Sequence, residues 1–415
     1  LVQYIEFKLF GTEYMLYYYV NILLNFLIIF VLYTIIKMVT NNIYCSFLFS
    51  IIFITARFAY FNILQLFGTM EALGLLFLLL MIYNSILFYK QKRLVFFYWI
   101  IVYNILIVFT HERYLALTPY VLMLVLLTPI ISQNRYKKIV MACIAASPIV
   151  LNIVIKKLIL NSGVLVGTGG TNIDFNIGRM LSFVFAGLLN IFGVNKGPEY
   201  LSGIPFEKST VITQSVSLLI FAVLMCIIAL YIIYTVKYAE NKKIEIDVII
   251  LSIFLVGSLI LASSVTIRQE FRWLFAPFTV LLIVIAYALN RAVKLKYLKY
   301  LLLIILVVLS LRNDIYYKSY MGNVYFVYCQ EISDSFYDET IKKYGTNLVN
   351  YNLYIEKNSE IDWPLLGSTF FQTYTGNQSF QVNYVDDIND VKPSDKDILL
   401  KLDWINKKAT RINPE

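Results

Sequence analysis

Long apolar runs separated by short polar loops occupy about the first three quarters of the chain. A helix that crosses about 30 Å of hydrocarbon needs roughly 20 mostly apolar residues, and runs near that length recur throughout this part. They predict an all-α polytopic membrane protein with about ten transmembrane helices. The predicted spans lie at 14–36, 43–60, 69–89, 95–110, 114–132, 139–155, 213–236, 246–264, 273–290 and 299–311.

The last quarter of the chain has a different pattern, in which short stretches alternate between apolar and polar residues. Asn350–Ile355 and Phe380–Val385 predict strands, and Asp334–Tyr344 predicts a helix. We therefore expect a transmembrane domain at 1–311 and a small α/β or α+β domain at 312–415. The second domain has no histidine and no set of nucleophile, base and acid, which favours a binding or scaffolding module.

Composition supports the membrane class. Hydrophobic residues make up 59% of the chain and charged residues only 15%, with a mean hydropathy of +0.71. Soluble domains contain about 25% charged residues. The net charge of +9 does not indicate a nucleic-acid partner, because residues 1–311 hold 24 Lys and Arg against 11 Asp and Glu, whereas 312–415 hold 11 against 15. The excess basic charge lies in the membrane domain, where it sets topology.

The orientation follows from alternate loops that carry most of the basic residues. By the positive-inside rule these loops are cytoplasmic, so the N-terminal segment, the 156–212 loop and the C-terminal domain face outward. The opposite short loops contain only Arg57, Arg113, Arg268 and Arg272. The predicted cytoplasmic residues are Lys37; Lys90, Lys92 and Arg93; Arg135, Lys137 and Lys138; Lys237, Lys242 and Lys243; and Arg291, Lys294, Lys296 and Lys299.

The 156–212 loop contains two further features. Arg179–Val194 is apolar but short, and counting it as a span would place the lysines of 237–243 outside. We interpret it as an interfacial or re-entrant helix. Gly167–Asn172 (GTGGTN) matches no phosphate-binding motif and is either a flexible turn or part of a loop that closes over a ligand.

Ionisable residues gather at the predicted outer boundary of the membrane, where a charge is costly unless it faces a cavity or a partner. Arg268 and Arg272 share one helical face, and arginine matches phosphate oxygens bidentately. The pattern predicts an outward-facing site for an anionic, phosphate-bearing substrate presented from the membrane. The candidate residues are Arg57, Glu71, His111, Glu112, Arg113, Arg268, Glu270 and Arg272.

Structural interpretations of the same residues remain open. Glu112 beside Arg113 can form an internal ion pair. Arg57 can extend its long side chain to the lipid–water boundary, and Arg268 and Arg272 can anchor lipid headgroups.

Four stretches resemble membrane glycosyltransferases of the GT-C fold. They are Phe7–Gly11 followed by Tyr17–Leu24, the broken connection Arg57–Glu71, the turn His111–Tyr114, and Phe271–Phe278 (FRWLFAPF). The resemblance implies transfer of a sugar from undecaprenyl- or dolichyl-phosphate to an acceptor outside the cytoplasm, a cell-surface glycan or a protein, with inversion at the sugar carbon. It places phosphate binding on Arg268, Arg272 and Arg113 and a secondary acid role on Glu112. With the charge pattern added, the candidates for phosphate or substrate binding are Arg57, Arg113, Arg268, Glu270 and Arg272, and those for catalysis are Glu112, His111 and Glu71.

The chain departs from the family in one respect. The family's catalytic base is an Asp or Glu of the first outer loop, and here that motif would precede Leu1, since Glu6 and Glu13 lie after it. We therefore expect the base upstream of this N-terminally truncated sequence. The fold is compatible with a divalent metal ion, although the sequence shows no ligand set and no certain cofactor.

Abundant Ile, Lys, Asn and Tyr are typical of an AT-rich bacterial source, which favours the bacterial plasma membrane and undecaprenyl phosphate as the lipid carrier. Three alternatives remain, one of which is a purely structural membrane protein. A surface-polysaccharide polymerase or ligase would have a similar number of spans, but with its large outer loop between spans. A flippase or transporter of lipid-linked sugars would show inverted repeats and charges near the midplane, and neither is evident here.

Overall fold

The computed structural model describes residues 2–11, 13–59, 68–128, 135–159, 161, 163, 175–196, 204–265, 271–321 and 325–412. The chain forms two compact units, Leu1–Lys318 and Ser319–Glu415. The boundary lies later than the expected 311/312, because the helix that contains the last predicted span continues to Met321.

The first unit is helical. Short 3-10 segments lie at Glu112–Leu117, Phe206–Lys208 and Phe271–Leu274. The α-helices are α1 (Val2–Phe10), α2 (Tyr14–Thr40), α3 (Ile43–Thr55), α4 (Thr69–Gln91), α5 (Leu94–Thr110), α6 (Thr118–Leu127), α7 (Arg135–Leu158), α8 (Ile177–Ile191), α9 (Val211–Lys237), α10 (Lys242–Ser264), α11 (Phe275–Ala292) and α12 (Lys296–Met321), the last of which crosses the boundary between the units.

Polar side chains mark where several of these helices begin. Asn42 accepts hydrogen bonds from the backbone N–H groups of Tyr44 and Cys45 at the start of α3. Asn176, Thr210 and Asn241 accept one each at the starts of α8, α9 and α10. These bonds satisfy N–H groups that have no partner within the helix, so a single Asn or Thr after a loop fixes the helix start.

Within the described ranges six helices, α2, α4, α7, α9, α10 and α11, are long and apolar enough to cross a membrane. This confirms a mostly helical chain with six candidate membrane helices, while the count of about ten spans stays a prediction. Helices α3, α5 and α8 are apolar but shorter than 18 residues. The predicted span 114–132 is interrupted, because the 3-10 segment Glu112–Leu117 precedes the ten-residue α6.

Helices α4 and α11 form the centre of the first unit. The most apolar stretch of α11 is 72% buried and that of α4 is 61% buried, against 22% for α7 and α9. Helix α8 covers most of the segment predicted to be interfacial. Its helical structure is confirmed, and its position in the membrane stays a prediction.

The second unit contains a four-stranded sheet in the order β2-β1-β3-β4. Strand β1 pairs in parallel with β2 and β3, and β3 pairs antiparallel with β4. The two predicted strands are confirmed as β1 and β2; β3 and β4 were not predicted. The strands are β1 (Asn352–Glu356), β2 (Val382–Val385), β3 (Asp397–Asp403) and β4 (Lys408–Arg411), and the α-helices are α13 (Tyr325–Glu339), α14 (Ile341–Tyr344), α15 (Asp362–Leu365) and α16 (Thr369–Thr375).

An apolar core holds this second unit together. Leu353 and Ile355 of β1 are buried beside Ile398 and Leu400 of β3 and Phe336 of α13. Side chains of alternate residues along β1 point to the same face, which explains why the period-two pattern was readable from the sequence. The predicted helix at 334–344 is confirmed as α13 and α14, although α13 begins at Tyr325.

Candidate functional site

Charged residues from separate elements meet at the end of the helix bundle where α4 begins and α5 ends. We define the Arg113 cluster as Glu71, His111, Glu112, Arg113, Lys156 and Trp273. The local backbone explains how the cluster forms. His111 ends α5 in an extended conformation, and its Nδ1 accepts a hydrogen bond from the backbone N–H of Arg113 at 3.4 Å. The 3-10 segment then directs Glu112 and Arg113 to different sides, because this helix has about three residues per turn.

The Arg113 guanidinium lies in the interior of the cluster. Its Nη2 donates to a carboxylate oxygen of Glu71, and both side chains are nearly buried. Its Cζ lies 5.2 Å from the ring centroid of Trp273 and 5.0 Å from that of Tyr114. The buried Nη1 has no hydrogen-bond partner among the described residues. Arg113 therefore has one hydrogen-bonded edge and one buried N–H donor without a described acceptor. A buried donor without an acceptor costs free energy, so a ligand or a further part of the chain is expected to supply one.

Glu112 pairs with a different cation. Its Oε2 lies 2.6 Å from Nζ of Lys156, whose side chain is 6% exposed against 30% for Glu112. One interpretation of the sequence paired the neighbours Glu112 and Arg113; the structure has instead two ion pairs that join distant segments, Arg113–Glu71 and Glu112–Lys156. Lys156 was not among the sequence candidates, although a lysine at the end of an apolar span is a recognisable signal.

A second carboxylate lies close to the start of α4. Glu6 of α1 is 5% exposed, and its Oε1 lies 2.7 Å from the hydroxyl of Thr69, which also lies 2.9 Å from Oδ1 of Asn21. Its Oε2 is buried with no hydrogen-bond partner in the described part of the chain. Thr69 and Glu71 are both in the first turn of α4, so Glu6 lies at the same end of the bundle as the Arg113 cluster.

Arg57 lies in a different environment from Arg113. Its guanidinium donates to the backbone carbonyl of Asn190 at 3.1 Å and to its side-chain carbonyl, and lies 4.0 Å from Asp314. It also lies over the rings of Phe58 and Tyr317 at 5.0 and 4.9 Å. With 3% exposure the side chain does not extend to the surface. Its buried Nε has no hydrogen-bond partner among the described residues, but its other contacts join α8 and α12 and favour a structural role.

A small cavity beside Arg57 has a volume of about 50 Å³. Ligand pockets generally measure about 300–1,000 Å³, so this space does not accommodate a substrate. The structure therefore separates Arg57 from the other candidates. Asp314, the ion-pair partner of Arg57, was not among the sequence candidates because it follows the last predicted span.

The remaining sequence candidates lie at or beyond the limit of what the structure describes. Arg268 and Glu270 are outside the described residues, as is the Gly167–Asn172 segment, and only the backbone of Arg272 is described. Trp273 follows directly, and its ring contacts both Arg113 and His111, the latter at 6.2 Å between centroids. The segment that carries Arg272 therefore approaches the Arg113 cluster, and a shared site with Arg268 and Arg272 stays a prediction.

No group of three or more His, Cys, Asp or Glu side chains with metal-binding geometry is found in the described residues. The cluster combines acid, base and aromatic groups from α4, α7, the 112–117 segment and the 271–274 segment. Such an arrangement can hold an anion through Arg113 and exchange a proton through His111 or a carboxylate. The sequence matches no model of a known protein family, and a search of the curated proteins gives no match.

Proposed function

We propose that the chain is a membrane glycosyltransferase of the GT-C type, which moves a sugar from a polyprenyl-phosphate donor to a cell-surface glycan or protein outside the cytoplasm. One observation supports this most: Arg113 is held by Glu71 beside Trp273, and its buried Nη1 has no acceptor among the described residues. A phosphate oxygen is the acceptor that a guanidinium edge favours. The proposed orientation places this end of the bundle and the C-terminal unit outside a bacterial plasma membrane.

The reaction is an inverting substitution at the anomeric carbon of the sugar. The acceptor oxygen forms the new bond as the bond to the phosphate oxygen breaks, the electron pair leaves with the polyprenyl phosphate, and a carboxylate takes the acceptor proton. Arg113 would stabilise the charge that develops on the phosphate. Glu71 already pairs with Arg113 and therefore serves to position it. The sequence alone predicts a base upstream of Leu1; among the described carboxylates, Glu6 has an oxygen with no described partner, and we assign it the role of base here instead.

The test is release of undecaprenyl phosphate by the purified chain from a panel of undecaprenyl-phosphate sugars, each assayed with a cell-surface glycan and with a protein as the acceptor. Arg113→Ala should lower kcat by about 10²–10³-fold, as loss of one transition-state donor does. Glu6→Gln should lower it by about 10²–10⁴-fold. Lys157→Ala is the matched control, since Lys157 is exposed next to Lys156 and should leave activity unchanged.

Two results would contradict the proposal: no release from any donor in the panel, or full activity of Arg113→Ala. Thermal unfolding of each variant in detergent separates a lost function from a lost fold. Movement of the intact lipid-linked sugar across vesicles without an acceptor would instead support the flippase alternative.

A further inference from the structure

A large cavity lies at the end of the bundle opposite the Arg113 cluster. It has a volume of about 760 Å³ and lies between α4, α6, α10 and α11. This volume is within the range of about 300–1,000 Å³ that is typical of ligand pockets. Its walls are mainly aliphatic, and they include Ile82, Leu124, Val248, Leu251, Val280 and Ile283.

Four basic side chains line the same cavity: Lys90, Lys92, Lys243 and Arg291. All four lie at helix ends, where α4 ends at Gln91, α10 begins and α11 ends. The positive charge is thus concentrated at one end of the cavity, while the middle of each helix contributes apolar wall. The basic residues come from three helices, so only the folded chain brings them together.

Nearby carboxylates compensate this charge only in part. Glu245 is buried and pairs with Arg291 at 2.7 Å, and it also accepts hydrogen bonds from Tyr231 and Tyr287. Asp247 is likewise buried, and it accepts a hydrogen bond from Tyr89 at 2.7 Å.

The exposed ammonium groups of Lys92 and Lys243 have no ion-pair or hydrogen-bond partner within the described ranges. The mouth of the cavity is therefore left with a positive charge that suits an anion.

We propose that this cavity binds an anionic phospholipid, with an acyl chain between α4 and α10 and the phosphate at Lys92 and Lys243. The apolar walls exclude a soluble polyanion such as a nucleotide, because its polar groups would lose their hydration without replacement. A neutral or zwitterionic lipid would not use the basic mouth. Basic side chains next to apolar membrane segments attract anionic headgroups, and lipid is the solvent that surrounds the first unit. The site does not depend on the proposed transfer reaction.

The experiment measures lipid binding by the purified full chain in detergent. Native mass spectrometry would count bound lipid during titration with phosphatidylglycerol, with phosphatidylcholine and, separately, with inorganic phosphate. We expect phosphatidylglycerol to bind at least tenfold more tightly than phosphatidylcholine, and the double variant Lys92→Glu/Lys243→Glu to lose that preference. Lys237→Glu is the matched control, because Lys237 is an exposed lysine at a helix end that does not line the cavity.

A second pair of variants tests the apolar part without changing charge. Leu251→Trp fills the cavity and should weaken phosphatidylglycerol binding at least tenfold, whereas Ile253→Trp on the same helix points away and should not, since Ile253 is 64% exposed. Equal binding of the two phospholipids, or wild-type binding by both cavity variants, would overturn the proposal. Two further results would overturn it: inorganic phosphate that binds at the site as tightly as phosphatidylglycerol, or undecaprenyl phosphate that binds tenfold more tightly than phosphatidylglycerol. Sugar transfer is not the readout, so failure here leaves the proposed function untouched.

Discussion

The two units of the chain differ in how much apolar surface they expose and in which charged groups they bury. In Leu1–Lys318 large hydrophobic side chains such as Phe30, 68% exposed, cover the outside, while charged groups such as Arg57 and Glu71 are buried. In Ser319–Glu415 the apolar residues form the interior, and the buried polar residues among those described are Thr340 and Thr375. One physical rule explains both units if lipid surrounds the first and water the second, because exposed side chains are those that the surrounding solvent can accommodate.

The ion pairs of the two units differ in the same way. Arg113–Glu71 and Lys156–Glu112 each contain a side chain that is nearly buried. In the second unit Lys357–Asp386 and Lys342–Asp338 are exposed on both sides. Water screens the exposed pairs, so they contribute little to stability, whereas a buried pair leaves an uncompensated charge when one member is removed.

The largest effect should follow from breaking a buried pair in the first unit. Glu71→Ala leaves the Arg113 guanidinium buried without its carboxylate, and we expect the free energy of unfolding to fall by about 3–5 kcal/mol. Denaturant-induced unfolding in detergent measures this change. Asp386→Ala removes one member of an exposed pair and should give no measurable change.

A charge reversal sharpens this test. The double variant Glu71→Arg/Arg113→Glu should recover part of the loss, because the pair is restored with its members exchanged. An Asp386→Ala loss as large as that of Glu71→Ala would contradict the contrast between the two units.

These pairs also show how far the sequence could predict the site. The apolar runs and the alternating strands β1 and β2 are local patterns, so the fold class and much of the second unit were readable. The partner of Arg113 was not, because Glu71 becomes its neighbour only when α4 and α5 pack side by side. Asp314 was assigned to the tail for a similar reason, since a run of polar residues hid the continuation of α12.

Strand β3 was missed because it is buried at several successive positions rather than alternating. Leu399 and Leu400 are both buried, which is typical of a strand covered on two faces. The signal of such a strand is a short apolar run, which cannot be distinguished from part of a helix by periodicity alone.

The second largest effect should come from placing a charge on the outside of a spanning helix. Phe30→Lys in the middle part of α2 should reduce membrane insertion by about 2.5–3.5 kcal/mol, because lipid cannot solvate the ammonium group. The fraction of chains inserted into microsomes gives the measurement. Trp404→Lys changes a side chain of similar exposure, 61%, in the second unit and should alter stability by no more than about 0.5 kcal/mol. Equal tolerance of the two lysines would show that α2 does not face lipid there.

A smaller effect should follow from a single methylene removed from the core of the second unit. Ile355 is fully buried in the central strand β1, so Ile355→Val should lower the free energy of unfolding by about 0.5–1.5 kcal/mol. Urea unfolding of residues 319–415 measures it. The control Ile405→Val, at a 71% exposed position, should stay within about 0.5 kcal/mol. A larger loss in the control would mean that the exposed surface of this unit also depends on tight packing.

The smallest effect should be the pH dependence contributed by one carboxylate at the start of β3. Asp397 accepts a hydrogen bond from the side-chain amide of Asn352 at 2.8 Å and another from the backbone N–H of Ser394 at 2.9 Å. These bonds lower the pKa of Asp397 below its usual value. Because the pKa is lower in the folded chain, the stabilisation is present above the unfolded pKa of about 3.9 and is lost as the pH falls through the folded value.

Asp397→Asn should therefore destabilise residues 319–415 at pH 7, and its difference from the wild type should disappear in acid, as followed by urea midpoints between pH 7 and pH 2. Asp395→Asn provides the matched control, because this neighbouring exposed carboxylate has no hydrogen-bond partner among the described residues. A difference that persisted unchanged at the lowest pH would mean that the hydrogen bonds of Asp397 act through its shape and not its charge. The surface charges of the second unit would then contribute even less to its free energy of unfolding than their exposure implies. Their contribution would differ still more from that of the buried ion pairs in the first unit.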